Sequence, residues 1–194
     1  RLMGADEEGT LAALKACRRD IIDPQVAAHR GRVVKTTGDG VLVEFPSAVD
    51  AIRCATDIQR AMSSRNTAIP EKRRIEFRIG INVGDIIFDE GDIYGDGVNI
   101  ASRVEALAKP GTVCVSDYAY HQIKGKVALD FIDMGEQRLK NIASPIRIYA
   151  VRSDEGGQAE SKSLALPDKP SIAVLAFQNM SGDPEQEHFA DGIS

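Results

Sequence analysis

From Ile75 to Val83 the chain alternates without a break. Ile75, Phe77, Ile79, Ile81 and Val83 fall on one face; Glu76, Arg78, Gly80 and Asn82 fall on the other. A period of two sustained over this length predicts a half-buried β-strand. Such a strand needs hydrogen-bonding partners at its edges and a layer packed over its apolar face. The chain must therefore build a sheet around it.

The flanking sequence supplies the pieces. Residues 6–29 read as helix, with Asp6, Glu7 and Glu8 opposing the N-terminal dipole and Leu11, Leu14, Cys17 and Ile21 at helical spacing. Asp23-Pro24 either kinks this helix or opens a second one. "VVKTTGDGVLVEF", residues 33–45, predicts a hairpin with strands near 32–37 and 41–45. Asp-Gly between alternating apolar residues tolerates the positive φ that a tight turn demands. A helix follows from about Ser47 to Ser64, carrying Ile52, Ala55, Ile58 and Met62 on one face, and the polar segment 65–73 leads to the alternating strand. Beyond it come a strand near 86–88, a helix from about Val98 to Ala108 stopped by Pro110-Gly111, and a strand at 112–115. A short helix at 116–123 and strands at 128–134 and 146–151 complete the unit. The order β-α-β-β-α-β predicts an α+β fold, a ferredoxin-like mixed sheet with flanking helices. Residues 152–170 are rich in Ser, Gly and Pro and read as a linker, followed by one more strand, "SIAVLAF" at 171–177. The expected organisation is a domain over 1–151, a linker over 152–170 and the start of a second domain over 171–194.

Composition narrows the function classes. With 43% hydrophobic and 27% charged residues the chain can bury a core. A net charge of −5 gives no general attraction for nucleic acid, so any anion must be met by locally placed Lys or Arg. Cys17, Cys54 and Cys114 lie apart inside apolar patterns, which fits buried thiols better than a metal cluster or a disulfide framework. His29, His121 and His188 have no partner at metal or triad spacing. No apolar run reaches membrane-spanning length and the N-terminus lacks a signal-peptide core, so a cytoplasmic protein is expected.

Two stretches carry possible chemistry. In the hairpin, Asp39 stands at the tip with Lys35 four residues before it. Asp39 is either a turn former or a metal ligand, and the hairpin alone favours the turn. In "GDIYGDGVNIASRVE", residues 91–105, Asn99 and Arg103 share one helix face, while Ala101, Val104 and Ala108 form the apolar face. The pair is either a solvated face or a group aimed at a groove or partner.

The second stretch resembles the signature of class III nucleotidyl cyclases, the adenylate and guanylate cyclase catalytic domains. Their pattern Asp-x-x-Gly-x-x-Val-Asn-x-x-x-Arg is matched by Asp92, Gly95, Val98, Asn99 and Arg103. Lys35, Gly38 and Asp39 resemble the family's Lys-x-x-Gly-Asp hairpin, and "RLKNIASPIRIYAV" resembles its closing segment, with Asn141 where many members have Gly. The resemblance runs from the N-terminus to about residue 151. It implies conversion of ATP to 3′,5′-cyclic AMP and pyrophosphate, with two Mg²⁺ or Mn²⁺ ions and a homodimer with shared active sites. It also implies roles: Asp39 as metal ligand, Arg103 on the α-phosphate, Asn99 on the ribose and Lys140 on the terminal phosphates. Lys35 and Asp92 would face the purine; a carboxylate accepts from the exocyclic amine of adenine but repels the carbonyl of guanine, so the pair favours ATP.

The first of the family's two metal aspartates sits on a first strand that would precede "RLMG", and Asp6 is not a substitute. The 194-residue chain is therefore expected to be inactive or nearly so without an upstream extension, and to leave a central place in its sheet that residues 171–177 could fill. The tail "KPSIAVLAFQNMSGDPEQEHFADGIS" resembles the start of a TolB-like domain. The main rival reading is a degenerate cyclase-homology module that binds nucleotide or dimerises for regulation. A diguanylate cyclase lacks support, because no Gly-Gly-Asp/Glu-Glu-Phe turn is present.

Overall fold

The structure is a computed structural model that describes residues 7–37, 40–84, 87–89, 92–152 and 171–176. Helix α1 (Glu7–Cys17) passes through a π-helical turn (Arg18–Ile22) into α2 (Asp23–Ala28). Pro24 sits at the start of α2, but the helical run is unbroken across the π-turn, with the Asp23 N–H donating to the Arg18 carbonyl, so Asp23-Pro24 marks a junction within one continuous helix. Strands β1 (Arg32–Thr37) and β2 (Gly40–Phe45) form the expected hairpin, and α3 spans Ala48–Thr67. Then come β3 (Arg78–Val83), the ribbon of β4 (Ile87–Asp89) and β5 (Asp92–Tyr94), and α4 (Asp96–Leu107). β6 (Val113–Ser116), α5 (Asp117–Ile123), β7 (Phe131–Gln137), β8 (Ile146–Val151) and β9 (Ser171–Ala176) complete the set.

Seven strands form one mixed sheet in the order β1-β2-β9-β3-β6-β8-β7. Among the described ladders only β3–β6 is parallel, and α4 lies in the crossover that joins those two strands. One face of the sheet, with Val41, Val43, Ile79, Ile81, Val113 and Val115, packs with Ile52, Ile58 and Met62 of α3 and with Ala119 and Ile123 of α5. The opposite face is covered by α4, through Leu42 against Val98 and Ala101, and through Cys114 and Ile148 against Val104 and Ala108. The predicted α+β fold, a mixed sheet with flanking helices, is the observed one.

Three sequence expectations need correction. The helix predicted to end at Ser64 runs on to Thr67, because the buried Asn66 side chain donates to the Ile75 carbonyl at 2.8 Å and fastens the last turn to the core. The strand predicted from Ile75 starts at Arg78. Ile75 and Phe77 are buried, but the Phe77 carbonyl accepts from Gln59 Nε2 and the Gly111 N–H, both at 2.9 Å, so it is taken up by a helix side chain and a loop. Nor is β3 half-buried: Asn82 is 0% exposed, because α4 covers the second face. The three cysteines are free and buried; burial raises the Cys17 thiol, pushes Cys54 up to about 12 and Cys114 up to about 11, which leaves them protonated and unreactive near neutrality.

The strand expected over 171–177 occupies a central position. β9 pairs antiparallel with β2 from Gly40↔Ala176 to Phe45↔Ser171, and with β3 from Arg78↔Ala176 to Val83↔Ser171. It joins the hairpin half of the sheet to the β3 half. A strand laddered on both sides should exchange its amide hydrogens as slowly as β2 and β3 do. Hydrogen exchange read by mass spectrometry checks this, and rapid exchange over 171–176 would overturn the assignment. The linker expected at 152–170 lies, from residue 153 on, outside the described residues.

Candidate active site

Helix α4 starts from a glycine that has to be a glycine. Gly95 has φ +129°, a conformation L side chains rarely adopt, and its carbonyl accepts from the Val98 N–H at 3.1 Å. The turn converts β5, which opens with Asp92, into α4 without a linker. Ala101 and Val104 are fully buried against the sheet. At 3.6 residues per turn Asn99 and Arg103 then project from the opposite side of the helix. Asn99 is exposed and Arg103 half-buried. They stand one turn apart, a neutral amide beside a guanidinium.

Lys35 reaches this side of the sheet through an irregularity. Val33 pairs with Val43 but Lys35 pairs with Leu42, so Val34 is the extra residue of a β-bulge. Without the bulge Lys35 would stand opposite Val41 and share its face inside the main core, where an ammonium costs several kcal/mol to bury. With it, Lys35 shares the face of Leu42, the face that α4 covers, and remains half-buried. β5 contacts both α4 and β1, so the strand that begins at Asp92 runs beside the strand that carries Lys35.

Lys140 is exposed on the other flank of α4. Its turn is closed by the Ile142 N–H donating to the Leu139 carbonyl at 3.2 Å, with Asn141 at φ +62°. A turn with positive φ at its third position alone has type II character, which takes Gly or Asn there. Asn141 therefore meets the same backbone demand as glycine. Leu139 and Ile142 anchor the turn in the cluster that holds Val104 and Ala108 of α4.

One chain thus gathers Lys35, Asn99, Arg103 and Lys140 around α4, with the strand of Asp92 alongside. Gly40, the first described residue of β2, does not come near the start of α4. Gly40 is level with Arg78 through β9, whereas the first turn of α4 lies over Gly84. These ends are six residues apart along β3, about 20 Å. Asp39, the metal ligand implied by the resemblance, lies beyond Thr37 and outside the described residues. Among the described residues no three His, Cys, Asp or Glu side chains cluster as a metal site. No helix among them is long and apolar enough to cross a membrane.

The sequence reading missed two features. The bulge at Val34 has no local signal. The polar face of β3 did carry one: Gly80, Asn82 and Gly84 alternate, and glycines within a strand mark a close backbone approach. A Cβ on Gly80 would sit 2.2 Å from the Glu105 nitrogen and 2.5 Å from the Ala101 oxygen, so α4 lies directly on the strand backbone.

Comparison with known proteins identifies the family. The whole chain is 48% identical over 199 aligned residues to the putative adenylate cyclase 3 of Rhizobium meliloti, of which it spans 34% of the length. It is 28% identical over 173 residues to a pH-sensitive adenylate cyclase of Mycobacterium tuberculosis, a match covering 84% of this chain and 41% of that protein. The crystal structure of an adenylate/guanylate cyclase/hydrolase from Silicibacter pomeroyi superimposes with a TM-score of 0.74 at 45% identity, covering 79% of this chain and 91% of that one. Residues 8–153 match the family of adenylate and guanylate cyclase catalytic domains. With that match over most of its length, and with the signature residues arranged around α4, the chain belongs to the adenylate and guanylate cyclase catalytic domain family.

Proposed function

We propose that the protein carrying this domain is an adenylate cyclase that converts ATP to 3′,5′-cyclic AMP and pyrophosphate at sites shared by two copies of the chain. The observation that carries the reading is the outward pair on α4, Asn99 and Arg103, flanked by Lys35 on one side and Lys140 on the other. The reaction joins the ribose 3′-oxygen to the α-phosphorus, breaks the bond to pyrophosphate and releases the 3′-hydroxyl proton. It asks mainly for alignment and charge stabilisation.

Arg103 donates to the α-phosphate oxygens as charge builds there, which a planar guanidinium does well. Asn99 holds the ribose so that its 3′-oxygen faces the phosphorus. Lys140, on its fixed turn, neutralises the terminal phosphates. Lys35 donates to a purine ring nitrogen and Asp92 accepts from the exocyclic amine, which favours ATP over GTP. Asp39 supplies carboxylate oxygen of the kind that hard divalent cations take, and Mg²⁺ or Mn²⁺ held there would supply Lewis-acid activation of the 3′-oxygen and a clamp on the triphosphate. The distance of Gly40, the chain neighbour of Asp39, from the first turn of α4, which carries Asn99, supports a site in which Asp39 comes from the partner.

The test uses the full-length protein with Mn²⁺ and either ATP or GTP, with the product identified by mass spectrometry. Cyclic AMP from ATP, with little product from GTP, is expected. Cyclic GMP as the main product would overturn the base assignment. Nucleotide binding without any cyclic product would transfer the domain to the regulatory, non-catalytic class.

A further inference from the structure

The polar stripe on β3 has a use that the cyclase signature does not cover. Asn82 is 0% exposed and both ends of its amide are engaged. Its Nδ2 donates to the Gly97 carbonyl in the first turn of α4 at 3.1 Å, and its Oδ1 accepts from the Ser116 hydroxyl at 2.6 Å. Ser116, also 0% exposed, caps α5 by accepting from the Ala119 N–H at 3.3 Å. A single amide therefore ties the start of α4 to the junction of β6 and α5. Gly80 and Gly84 flank it, and a Cβ on Gly84 would come within 3.0 Å of the Gly97 Cα. The helix rests on glycine at both points, and Asn82 is the polar pin between them.

We propose that Asn82 is a positioning residue for Asn99 and Arg103: with the Gly80 and Gly84 seat, it sets the rotation and height of α4 on the sheet. The inference rests on the cyclase reading for its catalytic consequence. Apolar contacts through Ala101 and Val104 hold the helix down, but small apolar side chains resist rotation weakly. The directional bond to Gly97 opposes it. At the helix surface, about 5–6 Å from its axis, a rotation of about 10° moves a side-chain head by about 1 Å. A misplacement of that size can cost roughly 10²-fold in rate. Asn82 does not touch the reacting atoms, and acts through where α4 presents its two polar side chains.

Asn82→Asp in the full-length protein tests this most cleanly. The carboxylate still accepts from Ser116 but cannot donate to Gly97, and it faces that carbonyl with like partial charge. Gly84→Ala is the second variant, because it presses on the first turn of α4 and alters no polar group. Both should lower kcat with ATP and Mn²⁺ by roughly 10- to 100-fold while KM moves by less than about threefold. In both, amide exchange in residues 96–100 should speed up while β3 and β6 stay protected. A folded Asn82→Asp protein with unchanged kcat, or a loss that merely follows the unfolded fraction in Gly84→Ala, would overturn the proposal. If the unmodified protein makes no cyclic nucleotide, the cyclase reading falls, and the exchange measurement still decides whether Asn82 seats α4: no faster exchange at 96–100 means that it does not.

Discussion

Asp39→Ala and Arg103→Ala, each almost inactive alone, should together recover up to about one quarter of the unmodified activity when equal amounts are mixed and allowed to exchange protomers. Random pairing makes about half of the dimers mixed, and a mixed dimer carries one intact site and one that bears both substitutions. In the proposed role of Arg103, its loss removes a preorganised donor to charge developing on the α-phosphate, which costs roughly 10²- to 10³-fold in kcat. Losing Asp39 removes the carboxylate assigned to the metal, with a loss of at least similar size. The restored fraction is then far above either parent. It depends on Asp39 and Arg103 meeting across an interface, as the proposed shared site requires. Cyclic AMP release by purified variants of the full-length protein, alone and mixed, is the measurement. A mixture no more active than its parents would rule out the shared site.

Changing Lys35→Glu together with Asp92→Cys should reverse base preference, raising the ratio of kcat/KM for GTP over ATP by at least about 10²-fold. Adenine presents a ring acceptor and an exocyclic donor, matched by an ammonium and a carboxylate. Guanine presents a ring N–H donor and a carbonyl acceptor at the same edge, so a carboxylate and a thiol are the better complement. Each mismatch leaves a desolvated polar group without a partner, the basis of strong discrimination. In the proposed site Lys35 and Asp92 read the base together, and β5, which opens with Asp92, contacts β1, which carries Lys35. Steady-state kinetics with both nucleotides checks it. A folded double variant that keeps the original ATP preference would remove Lys35 and Asp92 from the base site.

Much of this was legible in the chain alone. Local periodicity located the hairpin, α3, β3, α4 and β8 within a few residues, since period-two and period-3.6 patterns follow from one element facing one core. Asn99 and Arg103 could be put on the outer side of α4 because the apolar residues Ala101, Val104 and Ala108 define the inner side. Asn141 in place of glycine looked like a departure and proved to satisfy the same left-handed turn.

Tertiary structure alone decided the rest. The start of β3 depends on which groups take the Ile75 and Phe77 carbonyls, and those partners, Asn66, Gln59 and Gly111, are distant or belong to other elements. Whether the second face of β3 is wet or buried depends on where the crossover helix lands, and α4 lands there because Gly80 and Gly84 let backbone approach backbone. The face on which Lys35 emerges is set by a one-residue slip against β2, which no pattern within β1 announces. Sequence determines what each segment can bury; register and crossing geometry, which are properties of pairs of segments, determine which side chains meet around α4.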